Sequence, residues 1–305
     1  MDAIQRHRLN MLTHQLPPVA PSRVVLLGAQ GFLASRLRSA LEEARTPVHA
    51  IGSREIDLTA SGAADALQSQ LKEGDSVVFL SAITPDKGKG IDALMANLRM
   101  AEQVCAALAR VRAGHVVYIS SDAVYRDTEP FIDERGPADS SSLYGTMHAL
   151  RERMMLAAVG SSTPLAILRP TLIFGPGDTH NSYGANRFMR AAAADRRITL
   201  FGEGEEQRDH VFVDDVVKLL QSVLERRSAG VVNIVTGQSI SFGDLARKVA
   251  AIAGDVAVEG KPRAAGAILH RHYDATALFR SFPDFQFTPR DRALALAWRG
   301  YAQPA

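Results

Sequence analysis

From Ser22 onward, short runs of consecutive apolar residues alternate with longer stretches whose apolar positions recur every three or four residues. The runs "RVVLLG", "PVHAIG", "SVVFLSA", "HVVYISS" and "PLAILRP" are short and almost wholly apolar, which predicts strands buried on both faces. Between them, "FLASRLRSALEEA", "AADALQSQLKEG", "IDALMANLRMAEQVCAALARV" and the stretch beginning near Tyr144 carry the helical period. Such alternation predicts a parallel sheet with helices on both faces, that is, a doubly wound α/β domain. After Arg169 the rhythm breaks at "FGPGDTHNSYGANRF", a stretch too long and too polar for a tight connection. It returns in "DHVFVDDVVKLLQSVL" and "GVVNIV", and beyond Gln238 short helices and loops are expected. The expected organisation is a flexible leader over 1–21, a doubly wound domain over 22–175 and 209–236, and a smaller discontinuous domain over 176–208 and 237–305. The smaller domain would close over the strand ends.

Composition narrows the possible chemistry. With 305 residues, 46% hydrophobic and 22% charged, the chain has the make-up of an ordinary globular protein. Net charge is only +2 and the basic residues are scattered, so no nucleic-acid partner is expected. A lone cysteine, Cys105, excludes an intrachain disulfide and a multi-cysteine metal site, and its helical context suits a small buried residue. His180, His270 and His272 lack ligand spacing with any carboxylate, so no metal is expected. No apolar run reaches the length of a membrane span. The opening "MDAIQRHRLNMLTHQLPPVAP" has no signal-type apolar segment, and a cytoplasmic protein is expected.

The first strand leads into "LLGAQGFLASRL", which places Gly28, Gly31 and Ala34 as G-x-x-G-x-x-A between a strand and a helix. Small residues there let a backbone approach a pyrophosphate, whose charge a helix N-terminus favours. A dinucleotide is therefore the expected ligand, in a Rossmann-type fold. The second strand ends in "IGSREIDL", with no acidic residue at its Gly52-Ser53-Arg54 tip to take ribose hydroxyls. Arginine and a hydroxyl at that point suit a 2′-phosphate, which favours NADP(H) while leaving NAD open. Asp57 would lie further round, near the adenine.

Taken in order, "GAQGFLA", "VVFLSA", Asn97 in its helix, "VVYISSDAVY", "SLYG", "LRPTLIFGPGD", "ITLFGEGEEQRDHVFVDDV" and "VVNIVTG" resemble the extended short-chain dehydrogenase/reductases of the NAD(P)-dependent epimerase/dehydratase group. The similarity runs from Val24 to about Phe287 and implies action on a nucleotide-linked sugar, in a homodimer. It implies that Ser121 hydrogen-bonds the reacting sugar oxygen and that Tyr144 is the acid/base. Asp122, next to Ser121, matches half of the Asp-Glu pair of the dehydratases; Ala123 replaces the other half, so dehydration is the least expected chemistry. For the cofactor the resemblance implies Gly28, Gln30, Gly31, Phe32, Leu33, Ser53, Arg54, Asp57, Leu58, Ser81, Ala82 and Asn97, together with Tyr144 and His148. For the substrate it implies Thr84, Ser121, Asn186, Arg187, Arg208 and Arg271, the last two suited to a diphosphate because a guanidinium meets phosphate oxygens in a bidentate fork.

One position departs from the group. His148 stands four residues after Tyr144, where these enzymes carry lysine, and there is no lysine between Lys89 and Lys218 to take its place. A phenol of pKa about 10 is a poor base at neutral pH, and a cation one helical turn away would lower that value. Neutral imidazole does so less well. A working 4-keto-sugar reductase or epimerase is the leading expectation, and a catalytically silent NAD(P)-binding protein the alternative. The segment "IGSREIDLTA", taken as a helix-free link between the second and third strands, resembles the NADPH-using reductases and favours reduction slightly.

Overall fold

The computed structural model describes residues 11–263, 266 and 268–302. The apolar runs form the strands the pattern predicts. In chain order the first half comprises β1 (Val24–Leu27), α1 (Phe32–Glu43), β2 (Val48–Ile51), α2 (Ala63–Gln70), β3 (Ser76–Phe79), α3 (Ile91–Leu108), β4 (His115–Ile119), β5 (Phe131–Ile132), α4 (Leu143–Ala158) and β6 (Leu165–Pro170). Then follow β7 (Leu172–Phe174), α5 (Ala185–Asp195), β8 (Arg197–Phe201), β9 (Gln207–Arg208), β10 (His210–Phe212), α6 (Val213–Glu225), β11 (Gly230–Ile234), β12 (Ile240–Ser241), α7 (Phe242–Ala253), β13 (Ala257–Lys261), β14 (His272–Tyr273), α8 (Thr276–Ser281) and α9 (Arg290–Ala302).

Six strands make the central sheet in the order β11-β6-β4-β3-β1-β2, all parallel. Alternate residues of each strand serve opposite faces. Val24 and Leu26 join the core beneath α1 and α6, whereas Val25 and Leu27 join the core beneath α2, α3 and α4. This is why the strands read as unbroken apolar runs. The chain leaves β1 toward β2 on one side and continues to β3 on the other, so the carboxyl ends of β1 and β3 flank the crevice where doubly wound folds take ligands.

The remaining strands form four two-stranded pairings: β7 with β10, β8 with β13, β9 with β12 and β5 with β14. These elements, with α5, α7 and α9, gather beside the sheet. Beyond Gln238 the helices are longer than short turns, α7 having 12 residues and α9 having 13.

Two expectations are corrected. The leader was read as flexible throughout 1–21, but within the described residues it is docked from Met11 to Val19. Met11 and Thr13 bridge to Val231 and Ala229, Leu12 is buried in the main core, and the Val19 amide donates to the Glu225 carbonyl. The His14 ring bonds the Ser228 hydroxyl at 2.8 Å and the Ser281 carbonyl at 2.7 Å, tying the segment to both neighbours. Residues 1–10 lie outside the described residues. The link between β2 and β3 is not helix-free either: α2, within the helical stretch "AADALQSQLKEG", occupies it, with Ala63, Ala64 and Leu67 buried. The shortness of that link therefore gives no support to reduction over epimerisation. Cys105 is only partly buried, 3.7 Å from the Met155 sulfur, and burial pushes its thiol up to about 11.

Candidate active site

At the end of β1, Gly28 has φ +100°, and a Cβ there would meet Ser81 atoms after β3 at 2.8 Å. Glycine is what lets these two strand ends come so close. The Gly28 carbonyl accepts from the Gly31 amide, and α1 then starts with Gly31 as an extended N-cap that offers no side chain. With no acidic residue in the first turn, the amides of Phe32 and Leu33 lack a side-chain acceptor. Their side chains are buried, as is Leu58, so of the expected cofactor contacts Phe32 and Leu33 offer backbone amides and Leu58 only apolar surface.

The tip of β2 carries both signs of charge. Ser53 and Arg54 are exposed, as expected, but Glu55 folds back and accepts from the Gly52 amide at 2.8 Å. This carboxylate was missed because it lies four residues past the strand end, where a linear reading seeks no ribose partner. Gln30 is exposed, with its side chain over Gly52. Asp57 is exposed too, and hydrogen bonds from the hydroxyl and amide of Thr59 hold its carboxyl below the usual range.

The reaction centre is built where β4 ends. Ser121 caps the 3-10 turn Asp122–Val124, accepting from the Ala123 amide at 3.1 Å. Ser142 caps α4 by accepting from the Gly145 amide at 3.0 Å, which starts the helix one residue before Tyr144. Gly145 faces the Ser121 turn, where a Cβ would lie 1.9 Å from the Ala123 carbonyl oxygen. Only glycine allows α4 to bring Tyr144 up to the end of β4, and sequence reasoning missed it because a glycine in a helix reads as mere cost.

On the next turn His148 is buried. Its Nδ1 is 2.7 Å from the Tyr118 hydroxyl, while its Nε2 has no partner among the described residues. Its ring meets that of Tyr144 edge-on, with centroids 4.7 Å apart. Burial first, then the charge of Arg151, lowers the imidazole to about 3, so His148 is neutral at physiological pH. Burial pushes the Tyr144 phenol up to about 12; Arg151 opposes that rise, while Asp122 and Asp86 add to it.

Several expected contacts do other work. Asn97 is buried and bonds Ile83 through its side-chain oxygen at 2.9 Å and its amide nitrogen at 3.0 Å, so it shapes the loop after β3 instead of presenting its amide to a cofactor. Ala82 lies in that loop, beside Ser81, whose carbonyl accepts from Arg151 at 2.7 Å. The Thr84 hydroxyl, expected at the substrate, is buried with no partner among the described residues. Asn186 instead holds the backbone of Ile173 and Gly175 and accepts from the Tyr301 hydroxyl, so its amide faces inward. Arg187 is exposed, over the Tyr183 ring.

Of the two diphosphate candidates, Arg271 reaches the Ser121 turn, whereas Arg208 bonds within its own strand region and to the segment before Arg271. Arg271 donates to the Asp122 carbonyl at 3.2 Å and to Asp127 at 2.7 Å. Arg208 pairs with Glu206 and donates to the Gln207 and Leu269 carbonyls. Each is already bonded within the protein, and Arg263, which sequence reasoning did not single out, shares Glu206 at 2.8 Å. Asp122 accepts from the Tyr273 hydroxyl at 2.5 Å and from Thr171 at 3.3 Å, an anchoring role in place of a solvated carboxylate. Among the described residues no cluster of three or more His, Cys, Asp or Glu forms a metal site, and no helix is long and apolar enough to cross a membrane.

Three buried histidines make a pH prediction. Burial lowers His115 to about 4, and His148 and His210 to about 3. Below the ordinary value of about 6.5 the unfolded chain takes up protons that the folded chain refuses. Their contribution to stability is therefore complete above pH 6.5 and is lost as pH falls from there toward 3. The slope is at most about 1.4 kcal/mol per pH unit for each histidine. Urea unfolding at pH 7.5 and pH 5 should show the midpoint falling on acidification; coincident midpoints would contradict the burial of all three.

The class these features define is a doubly wound α/β protein of Rossmann type, with a serine and a tyrosine assembled beyond the end of the fourth sheet strand. The model of the NAD dependent epimerase/dehydratase family matches residues 24–235, and the chain belongs to that family, among the extended short-chain dehydrogenase/reductases. It is 34% identical over 117 residues to a dTDP-L-rhamnose 4-epimerase of Burkholderia thailandensis, a match covering 36% of this chain and 32% of that protein. The chain thus spans about a third of that relative's length. It is 26% identical over 251 residues to an ADP-L-glycero-D-manno-heptose-6-epimerase of Cupriavidus pinatubonensis, covering 73% of this chain and 76% of the relative. Among solved structures, a UDP-N-acetylglucosamine 4-epimerase from Methanobrevibacter ruminantium in complex with UDP-N-acetylmuramic acid superposes with TM-score 0.80 at 21% identity, covering 93% of this chain and 99% of that one. A GDP-L-fucose synthetase from Naegleria fowleri bound to NADP does so with TM-score 0.79 at 16% identity, covering 96% of each chain. These two share the fold.

Proposed function

We propose that the protein is an NAD(P)-dependent oxidoreductase of a nucleotide sugar, acting as a 4-keto-sugar reductase or an epimerase, with Tyr144 giving or taking the proton. One observation carries the reading: the Tyr144 ring packs edge-on against buried His148, whose Nε2 has no partner among the described residues, on a helix whose Gly145 lies against the Ser121 turn at the end of β4. An orphaned buried donor has a cost that a ligand hydroxyl would remove. When bound, the nicotinamide supplies or accepts the hydride. The first-turn amides of α1 would hold the pyrophosphate and His148 Nε2 a ribose hydroxyl, with Ser53 and Arg54 at the adenosine end. Arg271, at the Ser121 turn, and Arg208 suit a diphosphate, for which they would exchange carboxylate and carbonyl partners.

Arg54 supports NADP(H) as the cofactor, against the opposing charge of Glu55. Dissociation constants for NADPH and NADH in the wild type and Arg54→Ala test this. Losing a charge-assisted contact should weaken NADPH by about 1.5–3 kcal/mol and NADH little; equal loss for both would reject the assignment.

The neutrality of His148 favours a second reading, a protein that binds both ligands without turnover. The experiment that separates the two incubates the protein with UDP-, GDP- and dTDP-linked hexoses and their 4-keto forms, with NADPH or NAD, and follows products by proton NMR. Conversion of at least one is expected. Binding without any conversion would establish the silent reading.

A further inference from the structure

Arg151 is a fully buried guanidinium with no carboxylate within 4.0 Å among the described residues. Its Nε and one terminal nitrogen donate to the Asn97 carbonyl at 2.9 and 2.6 Å, and its other terminal nitrogen to the Ser81 carbonyl at 2.7 Å. It also lies over the Phe79 ring, 4.8 Å from the centroid. Neutral dipoles and a ring face thus hold a charge that elsewhere in this chain is buried with a counter-ion, as Arg169 is with Glu152. Burying an unpaired cation is costly, so the question is what its field acts on. The answer lies on its own helix and on β4. Tyr144, His148 and Arg151 stand at i, i+4 and i+7, on one face of α4. Tyr118 packs between that face and Phe79, with ring centroids 5.5 Å from Phe79 and 6.0 Å from His148.

We propose that Arg151 is the fixed cation of this site, supporting the phenolate form of Tyr144 and, through Tyr118, holding His148 with Nε2–H as a donor to a bound hydroxyl. The tautomer follows from the network. The positive field of Arg151 would turn the Tyr118 lone pairs toward the guanidinium and its proton away, onto His148 Nδ1, which lies 2.7 Å from the hydroxyl. Neutral imidazole then carries its single proton on Nε2, the atom without a partner. The task of a single cation is thereby divided: the imidazole donates the hydrogen bond and the guanidinium behind it supplies the charge. Of the charged groups acting on Tyr144, Arg151 favours ionisation and Asp122 and Asp86 oppose it; on His148, Arg151 alone acts. Arg151 acts through these neighbours and is a positioning residue. The inference rests on Tyr144 being the acid/base group, but its test needs no substrate.

The test places 3,5-difluorotyrosine at position 144 of the full chain, which brings the phenol into an accessible pH range, and titrates it by fluorine NMR. Arg151→Gln is expected to raise that pKa by about one unit, a tenfold change in the ionisation constant, and Arg151→Lys to restore it. An unchanged pKa in folded Arg151→Gln would overturn the proposal. Should Arg151→Gln fail to fold, nitrogen-15 histidine labelling reads the second half, the His148 signal being assigned by its loss in His148→Gln. Wild type is expected to show Nε2–H, and Tyr118→Phe a mixture of tautomers. An Nδ1–H tautomer in wild type, or no change in Tyr118→Phe, would overturn the proposal. Failure here would leave the proposed reaction standing, and failure to find a substrate would leave this network standing.

Discussion

Replacing Arg169 with methionine is expected to destabilise the protein by about 3–5 kcal/mol, the cost of stranding a buried charge. Arg169 meets Glu152 in a bidentate pair, at 2.9 and 2.7 Å, with both residues about 5% exposed. Its third nitrogen donates to the Tyr125 hydroxyl at 2.8 Å, which donates to Asn233 at 2.7 Å, so the pair ties α4 to β6 and β11. Without Arg169 the Glu152 carboxylate would keep only the Ser120 hydroxyl, at 2.6 Å. The double variant Arg169→Met/Glu152→Leu should recover much of the loss, because no uncompensated charge remains. Urea midpoints for the wild type and the two variants check this, and a cost below about 1 kcal/mol for Arg169→Met, the range of exposed pairs, would contradict it. The network lies directly behind Ser121, so its loss should also loosen the reaction centre.

Tyr144→Phe is expected to lower turnover by about 10²–10⁴-fold, the usual contribution of a positioned acid/base. Cofactor affinity and stability should barely change. The ring and its edge-on contact with His148 remain, and only the hydroxyl is lost. With the Tyr144 phenol pushed up to about 12, the direction of reaction matters. Under the proposed mechanism reduction would use the protonated phenol, which is fully present at neutral pH, so its rate should be flat from pH 6 to 9. Oxidation uses the phenolate, whose share grows about tenfold per pH unit below the pKa, so its rate should climb with pH. Steady-state rates in both directions, measured on whichever nucleotide sugar the NMR panel identifies, check this. Retention of full turnover by Tyr144→Phe would remove Tyr144 from the chemistry.

The sheet was legible because parallel strands covered on both faces are largely apolar: β1 is wholly so, and β3, β4 and β6 are so apart from Ser76, His115 and Arg169. The glycine turn was legible by its spacing, and Ser121 and Tyr144 were singled out by the resemblance of the motifs that hold them. The support of the site was not. Arg151 and Glu152 sit side by side in "ALRERMM", where periodicity sends charged residues to the solvent, yet both are buried. Their partners, Asn97, Ser81 and Arg169, are distant in sequence and meet them only in the fold. Gly145 carries no sign that a carbonyl from another segment lies against it. The docking of Leu12 rests on one apolar side chain in a polar stretch, too little to form a pattern. Asn186 and Asn97 were placed at ligands because an asparagine near a binding loop can serve the loop or the ligand, and only the fold shows which.

The measurement that bears most directly on the central claim is calorimetric titration of UDP, GDP and dTDP into the protein saturated with NADP. The three share the diphosphate that Arg208 and Arg271 are proposed to meet and differ only in the nucleoside. At least one is expected to bind at sub-millimolar concentration and to weaken about tenfold or more in Arg208→Ala, in keeping with loss of a charge-assisted contact worth about 1.5–3 kcal/mol. If none binds at millimolar concentration with cofactor present, the protein does not act on a nucleotide sugar.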